Sequence, residues 1–235
     1  MCVAAVAHAA HPGWLLVAIA NRDEFHGRPA APLARWDTGI LAGRDLQAGG
    51  TWLGVSERGR LALVTNFRAD ASFQPGAVSR GGLVPGWLSG EPAAAQHAMN
   101  PFSLLLADRG TLRYATNHPE SSETVLSPGV HGVSNGPFAT PWAKTMALNA
   151  ALADWLAGGG GALDPLFAAL ADTTPLPGPG PEARFSPVMI RSEAYGTRCS
   201  TVVAIDSAGR GRIAERSFDS LGALTGVVAL DFAWT

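Results

Sequence analysis

Cys2-Val3-Ala4-Ala5-Val6-Ala7 opens the chain as a short apolar run, and Trp14-Leu15-Leu16-Val17-Ala18-Ile19-Ala20 is a second, with His11-Pro12-Gly13 between them. Two β-capable runs joined by a Pro-Gly turn predict a hairpin that starts with the second residue. The second run ends in Asn21-Arg22-Asp23-Glu24. A strand returning beside its partner brings these polar groups level with Cys2, so one hairpin gathers a thiol, a guanidinium and two carboxylates.

The same stretch argues against a leader or a membrane anchor. No Lys or Arg precedes the apolar residues, and His8, His11 and Pro12 interrupt them. The run from Trp14 to Ala20 is far short of the ~20 residues that span a bilayer. A cytoplasmic protein whose N-terminus belongs to the fold is expected.

Outward from the hairpin, residues 41–44, 51–56 and 60–66 read as strands, with turns at Gly49-Gly50 and Glu57-Arg58-Gly59. Helices are expected over 82–88 and 92–99. Strands return at 103–107, 111–115, 124–126 and 131–134. Residues 141–156 form the best helix: Pro141 stands at its start, Trp142 and Met146 are an i, i+4 pair, and Leu148, Leu152, Trp155 and Leu156 recur on one face before four glycines. A second short helix covers 162–171, the Pro- and Gly-rich 173–181 is a loop, and strands follow at 197–205, 211–217 and 227–233. Runs such as Val202-Val203-Ala204-Ile205 suit sheets buried on both faces. Strands, then helices, then strands indicate an α+β layered sandwich. At 235 residues one domain, 1–235, suffices.

Composition narrows the function classes. Net charge is −2 and Lys144 is the only lysine, with the other basic residues scattered, so neither nucleic acid nor a membrane surface is an expected partner. Two cysteines make neither a disulfide framework nor a four-thiolate site. The six histidines show no zinc-type spacing, so no metal is expected. No phosphate-binding glycine loop of Walker or Rossmann form is present.

Cys2 carries the most chemistry. A small residue after Met1 permits removal of the methionine, which leaves Cys2 with a free α-amine of pKa about 7.7–8.0. Nucleophile and base then sit on one residue; the alternative is a free cysteine that simply packs. Asp23 can hold the amine or thiol, and Arg22 favours thiolate; the alternative is an Asx turn with a surface ion pair. Arg44, within Gly43-Arg44-Asp45, and Trp52, within Gly49-Gly50-Thr51-Trp52, can line a pocket mouth or simply build a glycine-rich hairpin.

The ordered set Cys2, Asn21-Arg22-Asp23-Glu24, Gly43-Arg44-Asp45, Thr51-Trp52-Leu53-Gly54, Thr65-Asn66-Phe67-Arg68, Gly132-Val133-Ser134-Asn135, Tyr195-Gly196-Thr197-Arg198 and Glu215-Arg216-Ser217-Phe218 resembles the NRDE family, that of the transport and Golgi organisation protein of the second type. More distantly, the chain is similar to choloylglycine hydrolases and penicillin V acylases, which are N-terminal nucleophile (Ntn) hydrolases. That resemblance implies a four-layer αββα sandwich with two mainly antiparallel sheets. It implies Cys2 as nucleophile, Asp23 as its partner, Asn135 as an oxyanion donor and Arg198 as a distal active-site arginine. Asn66, at the end of a strand, can supply the second donor; the alternative for either asparagine is a turn residue. The arginine of those amidases falls on Ala20 here, with Arg22 two places later. Cys199 reads as a conservative strand residue.

The expected function is hydrolysis of a small non-peptide amide or related acyl substrate, with Cys2, Asp23, Asn66, Asn135 and Arg198 catalytic, Arg22, Arg44 and Trp52 binding substrate, and no cofactor. The alternative implied by the NRDE resemblance is a non-catalytic fold that handles haem or lipid, with Cys2 or a histidine open as a haem ligand. Oligomeric state has no signature in the sequence.

Overall fold

The computed structural model describes residues 2–68, 78–91, 99–178 and 183–234. Strands β1 (Val3–His11) and β2 (Trp14–Phe25) form the expected hairpin, followed by β3 (Ala30–Arg35), β4 (Ile40–Asp45), β5 (Leu53–Ser56) and β6 (Arg60–Asn66). After helix α1 (Leu83–Ser89) come β7 (Phe102–Ala107), β8 (Leu112–Thr116), β9 (Ser122–Leu126) and β10 (Gly129–Val133). Helices α2 (Ala143–Ala157) and α3 (Asp164–Leu170) precede β11 (Tyr195–Asp206), β12 (Arg210–Phe218) and β13 (Leu224–Ala233).

The strands make two antiparallel sheets. The first runs β10-β1-β2-β11-β12-β13, and the second is the meander β3 to β9 in chain order. Side chains alternate across a strand, and the burial pattern follows that rule on both faces. In β1 and β2, Ala4, Val6, Leu16 and Ala18 join Leu53, Leu63 and Leu105 of the second sheet in a core between the sheets. The intervening Val3, Ala5, Val17 and Ile19 pack on Leu148, Leu152 and Leu166 of α2 and α3. On the far side Ala62, Leu104 and Leu106 meet Val84 and Leu88 of α1. Three apolar interfaces thus separate four layers, helix, sheet, sheet and helix, as the αββα expectation requires.

Departures from the sequence reading are local. Strand β3 was not expected, because Ala30-Ala31-Pro32-Leu33 has weak strand character. It lies at a sheet edge with a register shift between Ala31 and Ala34, where a proline is tolerated. The helix expected from 141 begins at Ala143, with Trp142 as its N-cap. Met146 is 46% exposed, so the expected Trp142–Met146 pair is not a core contact. Trp142 instead lies over Gly136, where an added Cβ would come within 2.3 Å of its Nε1. Residues 92–98 of the expected second helix lie outside the described residues.

Candidate active site

Strand register assembles the site. Val3 pairs with Asn21, and Asn21 with Ser200. One step outward, Cys2 comes level with Arg22, whose partner on β11 is Cys199. Parity gives Cys2, Arg22 and Cys199 the face between the sheets, and gives Asn21 and Asp23 the face toward α2 and α3.

The four residues from Asn21 to Glu24 divide the work. Buried Asn21 donates Nδ2 to the carbonyls of Leu170 and Val188 at 2.8 and 3.0 Å and accepts from Ser200 Oγ at 2.6 Å. It ties β2 to α3 and has no capacity left for a substrate. Arg22, 4% exposed, lies over the Trp52 ring at 4.6 Å and meets Asp45 at 3.2 Å and Glu24 at 3.9 Å. Its Nη1 has no hydrogen-bond partner among the described residues. Gly43 makes room for that stack, since a Cβ there would sit 2.5 Å from the Trp52 ring. Arg28 adds a second guanidinium to Asp45 at 2.7 Å.

Asp23 is buried. Its Oδ1 accepts from Thr197 Oγ1 at 2.7 Å, and its carbonyl accepts from the Tyr195 hydroxyl at 2.8 Å. Burial pushes its carboxyl above the ordinary range, against the positive charge of Lys144 and Arg22 and the Thr197 hydrogen bond. Cys2 is half-buried and borders a cleft. Burial raises its pKa too, and the neighbouring Asp23 backbone and Arg22 charge only partly offset the rise. The resting side chain is therefore a thiol, and nucleophilic attack needs a base.

Two adjoining clefts open beside Cys2. One, of ≈ 530 Å³, is lined by Cys2, Arg22, Asp45, Trp52, Asn66 and Arg80. The other, of ≈ 580 Å³, is lined by Asn66 and Asn135 together with Phe25, Phe185 and Tyr195. Asp23, Glu24, Phe25, Asn66, Arg80 and Asn100 border both. Tyr195 meets Phe25 and Phe185 edge-on at 5.2 and 5.8 Å, so the second cleft has an aromatic wall.

Asn135 is buried and donates one Nδ2 hydrogen to the Asn66 carbonyl at 2.5 Å, leaving one amide hydrogen. Thr65 Oγ1 donates to the Ser134 carbonyl at 2.6 Å, and Arg68 N to the Asn135 carbonyl at 2.8 Å, which fixes the two asparagine segments side by side.

Of the residues expected from sequence, Cys2, Asp23, Arg22, Trp52, Asn66 and Asn135 border these clefts. Arg44 does not: it is exposed, stacks over Trp36 at 4.7 Å and donates to the Gly49 carbonyl. Arg198 is also elsewhere. The register shifts between Thr197 and Cys199, which turns Arg198 out of line. Its Nη1 clamps the carbonyls of Phe25, His26 and Arg28 at 3.0–3.1 Å, and it lines a third pocket with Cys199 and Glu215, which meets the Cys2 cleft at Arg22 and Trp52.

Two cations were missed. Arg80 sits in a helical turn (Arg80–Gly82) held against the Gly49-Gly50 turn, where Thr51 N donates to the Gly81 carbonyl at 3.1 Å. A Cβ on Gly50 would lie 2.2 Å from that carbonyl oxygen. Lys144 continues the buried stripe of α2 one turn before Leu148 and lies 3.9 Å from Asp23, both side chains fully buried. Its place four residues before Leu148 was the available signal.

The family model for Transport and Golgi organisation 2 matches residues 1–220. The Transport and Golgi organization protein 2 homologs of Bos taurus and Homo sapiens are each 33% identical to this chain, over 238 and 240 residues, with 86% of both partners covered. Among solved structures, the conjugated bile acid hydrolase of Clostridium perfringens superposes with a TM-score of 0.60 at 9% identity, covering 98% of this chain and 92% of that one. The Caenorhabditis elegans N-acylethanolamine-hydrolyzing acid amidase ortholog gives 0.50 at 11% identity, over 86% and 92%. These likenesses establish the Ntn-hydrolase-like fold, and the sequence match establishes the lineage: the chain belongs to the Transport and Golgi organisation 2 family.

Proposed function

We propose that the protein is an N-terminal cysteine hydrolase acting on a small non-peptide amide or related acyl compound. The observation that carries this reading is Cys2 itself, half-buried immediately before β1 and open to a cleft that continues into an aromatic-walled one. Removal of Met1 frees the Cys2 amine beside its own thiol. The amine accepts the thiol proton as sulfur attacks the substrate carbonyl carbon, and the carbonyl π pair becomes an oxyanion. The remaining Asn135 Nδ2 hydrogen and the Asn66 amide are the donors available to it, and each well-placed donor contributes roughly 10²–10³ in rate. Collapse breaks the C–N bond, with the proton passing from the ammonium to the leaving nitrogen. Water, deprotonated by the same amine, then cleaves the thioester to a carboxylic acid and restores the thiol.

The test is mass spectrometry of purified protein before and after exposure to a panel of electrophilic amides. Loss of Met1 and acylation confined to Cys2, absent in Cys2→Ala, support the proposal. A retained Met1 removes the base and refutes it.

The aromatic wall also suits an apolar ligand held without chemistry, haem or lipid. Haem titration followed at the Soret band separates this second reading. Saturable binding that Cys2→Ala abolishes, together with an unreactive Cys2, favours it.

A further inference from the structure

We infer that Lys144 is a positioning residue of this site: its ammonium, set against Asp23, keeps the freed Cys2 amine in its neutral, proton-accepting form. This inference rests on the proposed hydrolase reading and specifies how its base is maintained.

Three observations make Lys144 costly as a purely structural residue. It is fully buried, and its Nζ has no hydrogen-bond partner among the described residues, the nearest carboxylate oxygen being Asp23 Oδ2 at 3.9 Å. It is the second residue of α2, where the helix dipole disfavours a cation. It is also the chain's only lysine, in a protein that otherwise uses arginine. An ammonium buried there costs stability unless its charge acts on a neighbour, and the neighbour within reach is Asp23.

The need follows from Asp23. A buried carboxylate beside an α-amine favours the ammonium, which has no lone pair to take the thiol proton. A second cation near the same carboxylate opposes that effect, so Asp23 can orient the amine without holding it protonated. The charged groups around this point are Asp23, Arg22 and Glu24 of β2, Lys144 of α2, Arg80 of the turn before α1, and Cys2 itself. Lys144 is the cation that approaches Asp23 from the helix layer, while Arg22 is engaged with Asp45 and Trp52 between the sheets. Burial draws Lys144 below its usual range, and the charges of Asp23 and Cys2 resist that.

The experiment follows the pH dependence of acetylation of the residue-2 α-amine by acetic anhydride, read by mass spectrometry of the N-terminal peptide. A Cys2→Ser background keeps the thiol from competing. In Lys144→Met the midpoint should rise by about one pH unit, lowering the neutral fraction at pH 7 about tenfold. Lys144→Arg, which keeps the charge, should stay near the parent. Circular dichroism establishes folding, and Lys144→Gln replaces Lys144→Met should the latter not fold. A processed, folded variant with an unmoved midpoint overturns this inference alone, as does an equal shift in Lys144→Arg. A retained Met1 overturns the hydrolase reading and this inference together.

Discussion

Replacing Asp45 by Asn tests the charge frame around Arg22. Asp45 Oδ2 accepts from Arg28 Nε at 2.7 Å and from Arg22 Nη2 at 3.2 Å, while Oδ1 accepts the backbone N–H groups of Gln47 and Ala48 at 3.1 and 3.0 Å. Asparagine keeps the second pair and turns an NH₂ donor toward two guanidiniums. Arg22, its side chain 5% exposed, is then left with Glu24 at 3.9 Å as its anionic neighbour. A hydrogen bond to a charged group contributes about 1.5–3 kcal/mol, and solvent screening discounts the partly exposed Arg28 side, so the loss should be about 2–3 kcal/mol at pH 7. Burial alone would raise the Asp45 carboxyl, but hydrogen bonds from Arg28 and Ala48 and the arginine charges hold it below the ordinary range. A depressed carboxylate contributes fully above its unfolded value of about 3.9, and the contribution disappears as pH falls through the folded value. Urea unfolding followed by tryptophan fluorescence should therefore show the gap between parent and variant at pH 7 and its closing in acid. A gap below about 0.5 kcal/mol at pH 7, or one of equal size at low pH, refutes the reasoning.

Asn21→Ala removes three buried hydrogen bonds and leaves the carbonyls of Leu170 and Val188 unpaired, so stability should fall by about 2–4 kcal/mol. A thermal melt within a degree or two of the parent would contradict the stapling role. His8 is buried and neither ring nitrogen has a partner among the described residues. Burial lowers its pKa against the pull of Asp108. The unfolded chain therefore binds the proton more readily, and stability falls as pH drops below about 6.5. His8→Leu should flatten the urea midpoints between pH 7 and pH 5; an unchanged slope would rule that out.

The hairpin was readable because both its strands are buried on two faces, so residues 14–20 form an unbroken apolar run with a turn before it. The pairing of Cys2 with the Asn21–Glu24 segment followed from that hairpin by register alone. Arg198 falls outside the two clefts because a bulge between Thr197 and Cys199 reverses side-chain parity, and one sequence carries no mark of a single extra residue. Arg44 lies one residue from Gly43, the position over which Trp52 packs, so alternation turns it to the opposite face. Arg80 reaches the cleft through a backbone contact between two glycines thirty-one positions apart, Gly50 and Gly81, which no local pattern announces. Lys144 sat on a legible helical stripe, but a periodicity of apolar residues does not count a lysine as its next member.

Cys2 and Cys199 stand in one row on either side of Arg22, on strands that are not neighbours. Two interstrand steps separate their Cα atoms by about 10 Å, beyond the roughly 7 Å that a disulfide spans. A sulfenic acid formed by peroxide at Cys2 would find no resolving thiol within its own chain. Protection of Cys2 must come from outside, through glutathione or a similar small thiol, and without it oxidation proceeds to the irreversible acids.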